Sequence, residues 1–485
     1  MRWIFPLTLL AWMPVSAQEA TVFQDSDQPP AGAAPYEVTP DPEAGAHLPN
    51  LLHKLRTGFH PDRPLRVWAL GSSYTNMLGS GEVWQEEIPQ RFPKVSQVNY
   101  TKMVGNSCPW QYLRGWAQTL LVADPPDLVL TYTNGEPDDL DKLLTQIRST
   151  TTADIIVPSL HWRQRDAEEH WDKDENAADQ DVAAVRAVCK KHGVEFVENR
   201  RDWERYLRAQ KLPIEALLKD PVHQNAYGAS IVNRNILAHL PTEGSSALDD
   251  REVRLDAAAL AKLEHSGFKL QDGRLRAAQA GATLRVPFTG NCIELIGRFL
   301  KDGGSVKVTL DGRPGSEFAA FLPSYIQGDE KNARSQKGDN PRDLAPHGVT
   351  LSQDCIPQQW TVLMTNDMGD YTLTGSITGP DGTGNAFKDY TSLTGQITLP
   401  ADLWRRAERN KQGDRFTFSV TRATEDSVSF SPPSDAEADA EAPIFRTRLA
   451  NALSNGPHVL TLTTTSAAPV EIEALDVFRP PLGRE

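Results

Sequence analysis

Between Leu65 and His239, short continuous apolar runs alternate with longer amphipathic segments, and this constrains the fold more than any other feature. LRVWAL (65–70) is followed by VWQEEIPQRF (83–92), then VSQVNY (95–100). LVL at 128–130 is followed by DDLDKLLTQIR (138–148), DIIVPSL (154–160) by DQDVAAVRAVCKKHG (179–193), and VEFVEN (194–199) by RDWERYLRAQ (201–210). Such alternation predicts a parallel sheet with helices on both faces. The strand runs are continuous rather than alternating, as strands buried on both sides require. The expectation is an α/β unit over 63–243, a flavodoxin-like three-layer sandwich with a central parallel sheet, closed by a helix over Gln224–His239.

Beyond about Ser245 the pattern changes. TLRVPFTG, CIELIGRF, SVKVTLDGRPG, HVLTLTTT and VEIEALDVF are β-rich segments punctuated by Gly, Pro, Asn and Asp. They predict an antiparallel β-sandwich over 250–482. An insertion around 323–422 interrupts it: a polar stretch, GDEKNARSQKGDNPRD, then strand-like WTVLMTN, DYTLTGSI and LTGQITLP. A connection this long inside a compact sandwich needs structure or function of its own. Gly379-Pro-Asp-Gly-Thr-Gly384 and the acidic SPPSDAEADAEAP (431–443) read as loops.

The amino terminus carries Arg2, an apolar run from Trp3 to Val15, and the small-residue site Val15-Ser16-Ala17. This is the pattern of a secretory signal peptide over 1–17, with a run too short to span a bilayer. Residues 18–62, rich in Pro, Ala, Asp and Glu, read as a linker or N-terminal arm. The expected location is secreted or periplasmic, without a lipid anchor or membrane insertion. A net charge of -14 argues against nucleic-acid and anionic-membrane partners. Export permits disulfides. Of Cys108, Cys189, Cys292 and Cys355, the later two form the expected pair and the others are buried thiols. No pair of cysteines has CxxC or zinc-ligand spacing, so a metal site built on cysteine is not expected; no other metal and no cofactor is expected either.

The chemistry begins where the first strand ends, at Gly71-Ser72-Ser73. In an open parallel sheet, ligands bind outside the carboxyl ends of the strands. A hydroxyl there is well placed to act, although a glycine-serine turn with Ser73 or Thr75 capping the next helix explains the same residues. Further segments shift the balance. The second strand leads to Met103-Val104-Gly105-Asn106, and the third runs Leu128-Val-Leu-Thr-Tyr-Thr-Asn134. Near the end of the unit, Asp220-Pro-Val-His223 leads into a helix. Each element is weak alone; the ordered set is not.

That set resembles the SGNH (GDSL-type) hydrolase family over roughly Leu65 to His239. GSSYT matches its first block with Ser73 at the nucleophile position. Gly105, Asn134, and Asp220 with His223 match the later ones. Two departures stand out: Ser72 occupies the usual aspartate of block one, and block three reads Tyr132-Thr-Asn-Gly135 instead of glycine-x-Asn-Asp. Neither removes a group that handles the reacting proton. The resemblance implies a Ser73–His223–Asp220 acyl-transfer site with the Ser73 and Gly105 N–H groups and the Asn134 amide as oxyanion donors.

An exported hydrolase followed by a β-sandwich also resembles secreted carbohydrate esterases. VTLDG (308–312) and the closing strands are similar to carbohydrate-binding modules. The implied activity is hydrolysis of acetyl or other short acyl esters on an acylated polysaccharide or oligosaccharide. An inactive glycan-binding protein on the same fold and an acyltransferase using the same nucleophile are the alternatives. Trp360, Trp404 and Phe387 could be sugar platforms or core. His161-Trp162 and Trp110 could line the cleft or pack beneath it. His170 with Asp172, Asp174 and Glu175 reads as a solvated charged loop, and Asn99-Tyr-Thr101 matches a glycosylation sequon.

Overall fold

The computed structural model describes residues 23–58, 63–104, 110, 117, 121, 125–166, 177–244, 247–322, 344–346, 348–352, 355–404, 406–422, 426–433 and 443–483. The proposed signal peptide, Gly105, Cys108, the charged segment 168–176 and the polar stretch 328–343 lie outside them.

The first unit has strands β1 (Leu65–Gly71), β2 (Val98–Val104), β3 (Leu128–Tyr132), β4 (Asp154–Pro158) and β5 (Glu195–Val197). They form one parallel sheet in the order β2-β1-β3-β4-β5. This is the flavodoxin-like order, whose switch point lies between β1 and β3. Its helices are α1 (Pro49–Thr57), α2 (Ser73–Asn76), α3 (Glu82–Arg91), α4 (Pro137–Thr150), α5 (Ala177–His192), α6 (Asn199–Ala209) and α7 (Ala226–Ala238). Successive side chains of a strand point to opposite faces, so the continuous apolar runs feed two cores. Val67, Ala69, Leu128 and Leu130 join α1, α3, α6 and α7 on one face. Trp68, Leu70, Val129 and Ile155 join α4 and α5 on the other. The three layers follow from that division.

The segment before β1 is packed against this unit. Tyr36 is buried, its N–H donating to the Tyr227 hydroxyl at 2.7 Å and its own hydroxyl bonding Asn235. Helix α1 buries Leu51, Leu52 and Leu55.

Two antiparallel six-stranded sheets follow, one containing Thr283–Gly290 and Gly456–Thr464, the other Cys292–Arg298 and Val470–Phe478. Alternate residues such as Leu284, Val286, Leu295 and Leu475 enclose a shared core between them. The intervening chain from Ala319 to Arg422 builds a five-stranded and a three-stranded sheet with a separate core around Trp360, Tyr371, Trp404 and Phe416. Within it Gly379–Asn385 is not a loop: it pairs antiparallel with Asp370–Gly375. Gly382 and Gly384 suit this strand because Tyr390 and Tyr371 occupy the space their side chains would fill. A Cβ on Gly384 would lie 2.4 Å from the Tyr371 hydroxyl.

Cys292 and Cys355 are not a pair. Each is a free buried thiol, one in a sandwich strand and the other in the core of the intervening unit. Burial pushes both thiols up, to about 12 and about 11 respectively. Cys189, also free and buried, lies on α5 and packs into the core that α5 shares with α4.

The sandwich meets the α/β unit at the amino ends of the parallel strands. Arg251 donates to Asp154, the first residue of β4, at 2.7 Å, and Asn291 reaches the Thr150 carbonyl at 3.0 Å. The opposite end of the sheet, where the strands exit toward Ser73 and Asn134, carries none of these contacts.

Candidate active site

Ser73 opens the short helix α2 directly after β1. The turn that presents it depends on Gly71. A Cβ at that position would lie 1.9 Å from Thr75 Oγ1, 2.9 Å from Thr75 Cβ and 3.1 Å from the Tyr132 carbonyl oxygen. Thr75 holds its place because its hydroxyl donates to that same carbonyl at 2.6 Å. Its role is to tie α2 to the end of β3, not to cap the helix. Gly71→Ala is therefore expected to cost about 1–3 kcal/mol through overpacking and to move Ser73. Thermal unfolding with parallel ester turnover would test this; an unchanged Tm with full activity would refute it.

The two departures from the family pattern each have a local cause. Ser72 is buried, and its Oγ accepts from Thr133 Oγ1 at 2.8 Å, joining the exits of β1 and β3. Gly135 adopts φ of 151°, a conformation that favours glycine over the usual aspartate.

The third element comes from the turn before α7. Asp220 Oδ1 accepts the N–H groups of Val222 and His223, both at 2.9 Å, which folds the segment back on itself. The turn points the His223 ring so that Nδ1 lies 2.8 Å from Asp220 Oδ2 and Nε2 lies 2.8 Å from Ser73 Oγ. Partial burial pushes the Asp220 carboxyl upward, but the bonds it accepts from Val222 and His223 outweigh this and hold it below its ordinary range. An ionised carboxylate only accepts, so Nδ1 carries the ring proton and Nε2 offers its lone pair to the serine hydroxyl. The arrangement can remove a proton from Ser73 and return it to a leaving group.

Asn134 stands exposed two residues past the end of β3. It lines a cavity of about 220 Å³ together with Trp110, Thr133, Leu160, Arg163 and Arg165. Trp110 is buried there at the unusual φ of 40°. Trp162 does not face this space; its ring lies beneath the Arg200 guanidinium, 3.6 Å from the centroid. A larger cavity, about 420 Å³, lies by α1 at the seam with the sandwich and includes none of Ser73, Asn134, Asp220 or His223. Hydrogen-bonding geometry, not volume, marks the site.

The sequence offers His161 only as cleft lining or packing. It is fully buried and hydrogen-bonded to the turn that carries His223. The readable signal was a polar residue immediately after a buried strand. Among the sugar-platform candidates, Trp360 and Trp404 are core residues, whereas Phe387 is 53% exposed. Among the described residues no group of His, Cys, Asp or Glu could hold a metal ion, and no helix is long and apolar enough to cross a membrane.

No protein-family model matches the chain, and no curated protein does. Among solved structures, a two-domain esterase (CEX) active on acetylated mannans is similar at 10% identity. That match covers 89% of this chain and 95% of the other, with a TM-score of 0.32. LAE5, an α/β hydrolase enzyme from the metagenome of Lake Arreo, Spain, is similar at 16% identity over 39% of this chain and all of its own (100%), with a TM-score of 0.31. Axe2, an acetylxylan esterase from Geobacillus stearothermophilus, is similar at 16% identity over 37% of this chain and 94% of its own, also at 0.31. Overlaps this shallow carry no argument. The strand order defines the fold, and the residues carry the chemistry.

Proposed function

We propose that this chain is an exported serine esterase that hydrolyses acetyl or other short acyl esters on a polysaccharide. The observation that carries the reading is the hydrogen-bonded series Ser73–His223–Asp220. Ser73 Oγ attacks the ester carbonyl as its proton passes to His223 Nε2, and the imidazolium is stabilised by Asp220. The tetrahedral oxyanion is met by the Asn134 amide and the Ser73 N–H, with the Gly105 N–H as a further donor. Collapse breaks the ester C–O bond, and His223 protonates the departing sugar hydroxyl. Water then attacks the acyl-serine, gives its proton to His223, and releases the carboxylic acid with Ser73 restored.

Substrate size follows from the architecture. The sheet end bearing Ser73 faces away from the sandwich seam, so a polymer chain can approach it. The β-rich units are proposed to retain the glycan, with the exposed Phe387 ring as a candidate contact.

The test combines labelling with product analysis. A fluorophosphonate should modify Ser73, identified by peptide mass spectrometry, and acid should be released from an acylated glycan panel that begins with acetylated mannans and acetylxylan. Asn134→Ala should lower kcat by about 10²–10³-fold, the usual effect of deleting one oxyanion donor. No labelling together with no acid released from any glycan or simple ester would overturn the proposal. Acylated acceptor in place of free acid would indicate transfer instead.

A further inference from the structure

We infer that His161 is a positioning residue for the reaction: a neutral imidazole that fixes the peptide before His223 and so aims the His223 ring at Ser73. The inference rests on the serine-esterase reading.

The segment leaving β4 makes two bonds to consecutive carbonyls of the catalytic turn. The Gln164 N–H donates to the Pro221 carbonyl at 3.0 Å, and His161 Nε2 lies 3.1 Å from the Val222 carbonyl oxygen. A carbonyl only accepts, so Nε2 of His161 carries the proton. Its Nδ1 therefore offers a lone pair, and the Tyr132 hydroxyl donates to it at 2.6 Å. Tyr132 thus fixes the tautomer that the Val222 carbonyl requires.

The peptide joining Val222 to His223 is consequently held on both sides. Its carbonyl is bound by His161, while its N–H, that of His223, is bound by Asp220 Oδ1 at 2.9 Å. Rotation of this peptide is a direct way to swing His223 Nε2 off Ser73 Oγ, and both ends oppose it. The Tyr74 ring packs against both imidazoles, with centroids 5.5 Å from His161 and 5.6 Å from His223. Trp203 also packs against His161, with ring centroids 5.0 Å apart. Burial pushes the His161 pKa down to about 3, so the ring stays neutral through the working range of an esterase. One imidazole handles the reacting proton, while the second, buried and neutral, keeps the first aimed.

The experiment compares three variants with wild type. His161→Phe keeps a ring but removes both nitrogen partners, His161→Gln restores a donor toward Val222, and Tyr132→Phe removes the tautomer lock. With folding matched by circular dichroism, His161→Phe should lower kcat for p-nitrophenyl acetate about 10²-fold, as misplacement of a catalytic group does, while KM changes less than about twofold. His161→Gln should recover at least about a tenth of wild-type kcat, and Tyr132→Phe should fall between. The downfield proton NMR signal of the His223 Nδ1–H should persist in His161→Gln and vanish or broaden in His161→Phe.

A folded His161→Phe with wild-type kcat and an intact signal would overturn the inference. So would equal loss in the Gln and Phe variants, which would assign the effect to ring packing. If His161→Phe does not fold, unchanged kcat in Tyr132→Phe would overturn it. Failure of the esterase reading looks different, because the wild type would then be inert on every ester. The NMR comparison decides whether His161 holds the turn even in that case.

Discussion

Ser73→Ala and His223→Ala should each lower kcat for p-nitrophenyl acetate by roughly 10⁴-fold or more, and the double variant should be no slower than the worse single one. Groups that act as one unit are strongly non-additive, because removing either member disables the whole proton transfer. Here the unit is one bond, Ser73 Oγ to His223 Nε2 at 2.8 Å. Neither partner is deeply buried: Ser73 is half-buried and the His223 side chain is 25% exposed. Both substitutions should therefore leave Tm almost unchanged, separating chemistry from stability. Asp220→Asn should have a smaller effect than either, since an amide oxygen can still accept the backbone N–H groups that form the turn. What it loses is the charge that stabilises the imidazolium, and its NH2, at the position of Oδ2, faces His223 Nδ1 and favours the tautomer with the proton on Nε2. Additive losses in the double variant, or less than tenfold loss in both folded singles, would mean that Ser73 is not the nucleophile.

The sequence and the structure agree best where information is local. Continuous apolar runs marked β1, β3 and β4 because a strand buried on both faces needs no partner residue to declare itself. The positions of Ser73 and Asn134 followed, since each lies just beyond such a run. His223 was legible for a different reason: Asp220 and His223 are three residues apart, so their pairing is a property of one turn. The misses are all non-local. Cys292 and Cys355 looked like partners in one linear stretch, but the chain between them builds a separate core that takes Cys355 with it. Gly379–Gly384 has the composition of a loop and becomes a strand because Asp370–Gly375 supplies its hydrogen bonds and Tyr371 and Tyr390 its packing. His161 meets Val222 across 61 residues. No spacing rule connects them, only the approach of two loops at the carboxyl end of the sheet.

The largest stability effect is expected at the other end of that sheet. Asp127, buried just ahead of β3, accepts Lys54 Nζ and Arg63 Nη2, each at 2.8 Å, and the Arg66 N–H at 2.9 Å. Lys54 also reaches Glu252 at 2.7 Å, in the first sandwich strand, so one lysine joins the two units through this carboxylate. Replacing Asp127 by Ala would leave two largely buried cations without their shared anion. Breaking a buried pair from one side typically costs about 3–5 kcal/mol. Burial alone would push the Asp127 carboxyl upward, but Arg63 and Lys54 overcome this and hold it well below the usual carboxylate range. Asp476, bound by Arg254 and Arg446 on the sandwich side of the same seam, is likewise lowered, to about 2. A carboxyl whose folded pKa is depressed stabilises the fold fully above its unfolded value, near 3.9. That contribution is lost as pH falls through the folded value. Wild-type Tm should accordingly be flat from about pH 7 to 5 with respect to these groups and fall steadily from about pH 5 toward 2. Asp127→Ala should start from a lower Tm at pH 7 and show a shallower decline over the acid window, because one of the titrating anions is gone. Parallel curves for the two proteins would show that Asp127 does not carry the acid sensitivity of the seam.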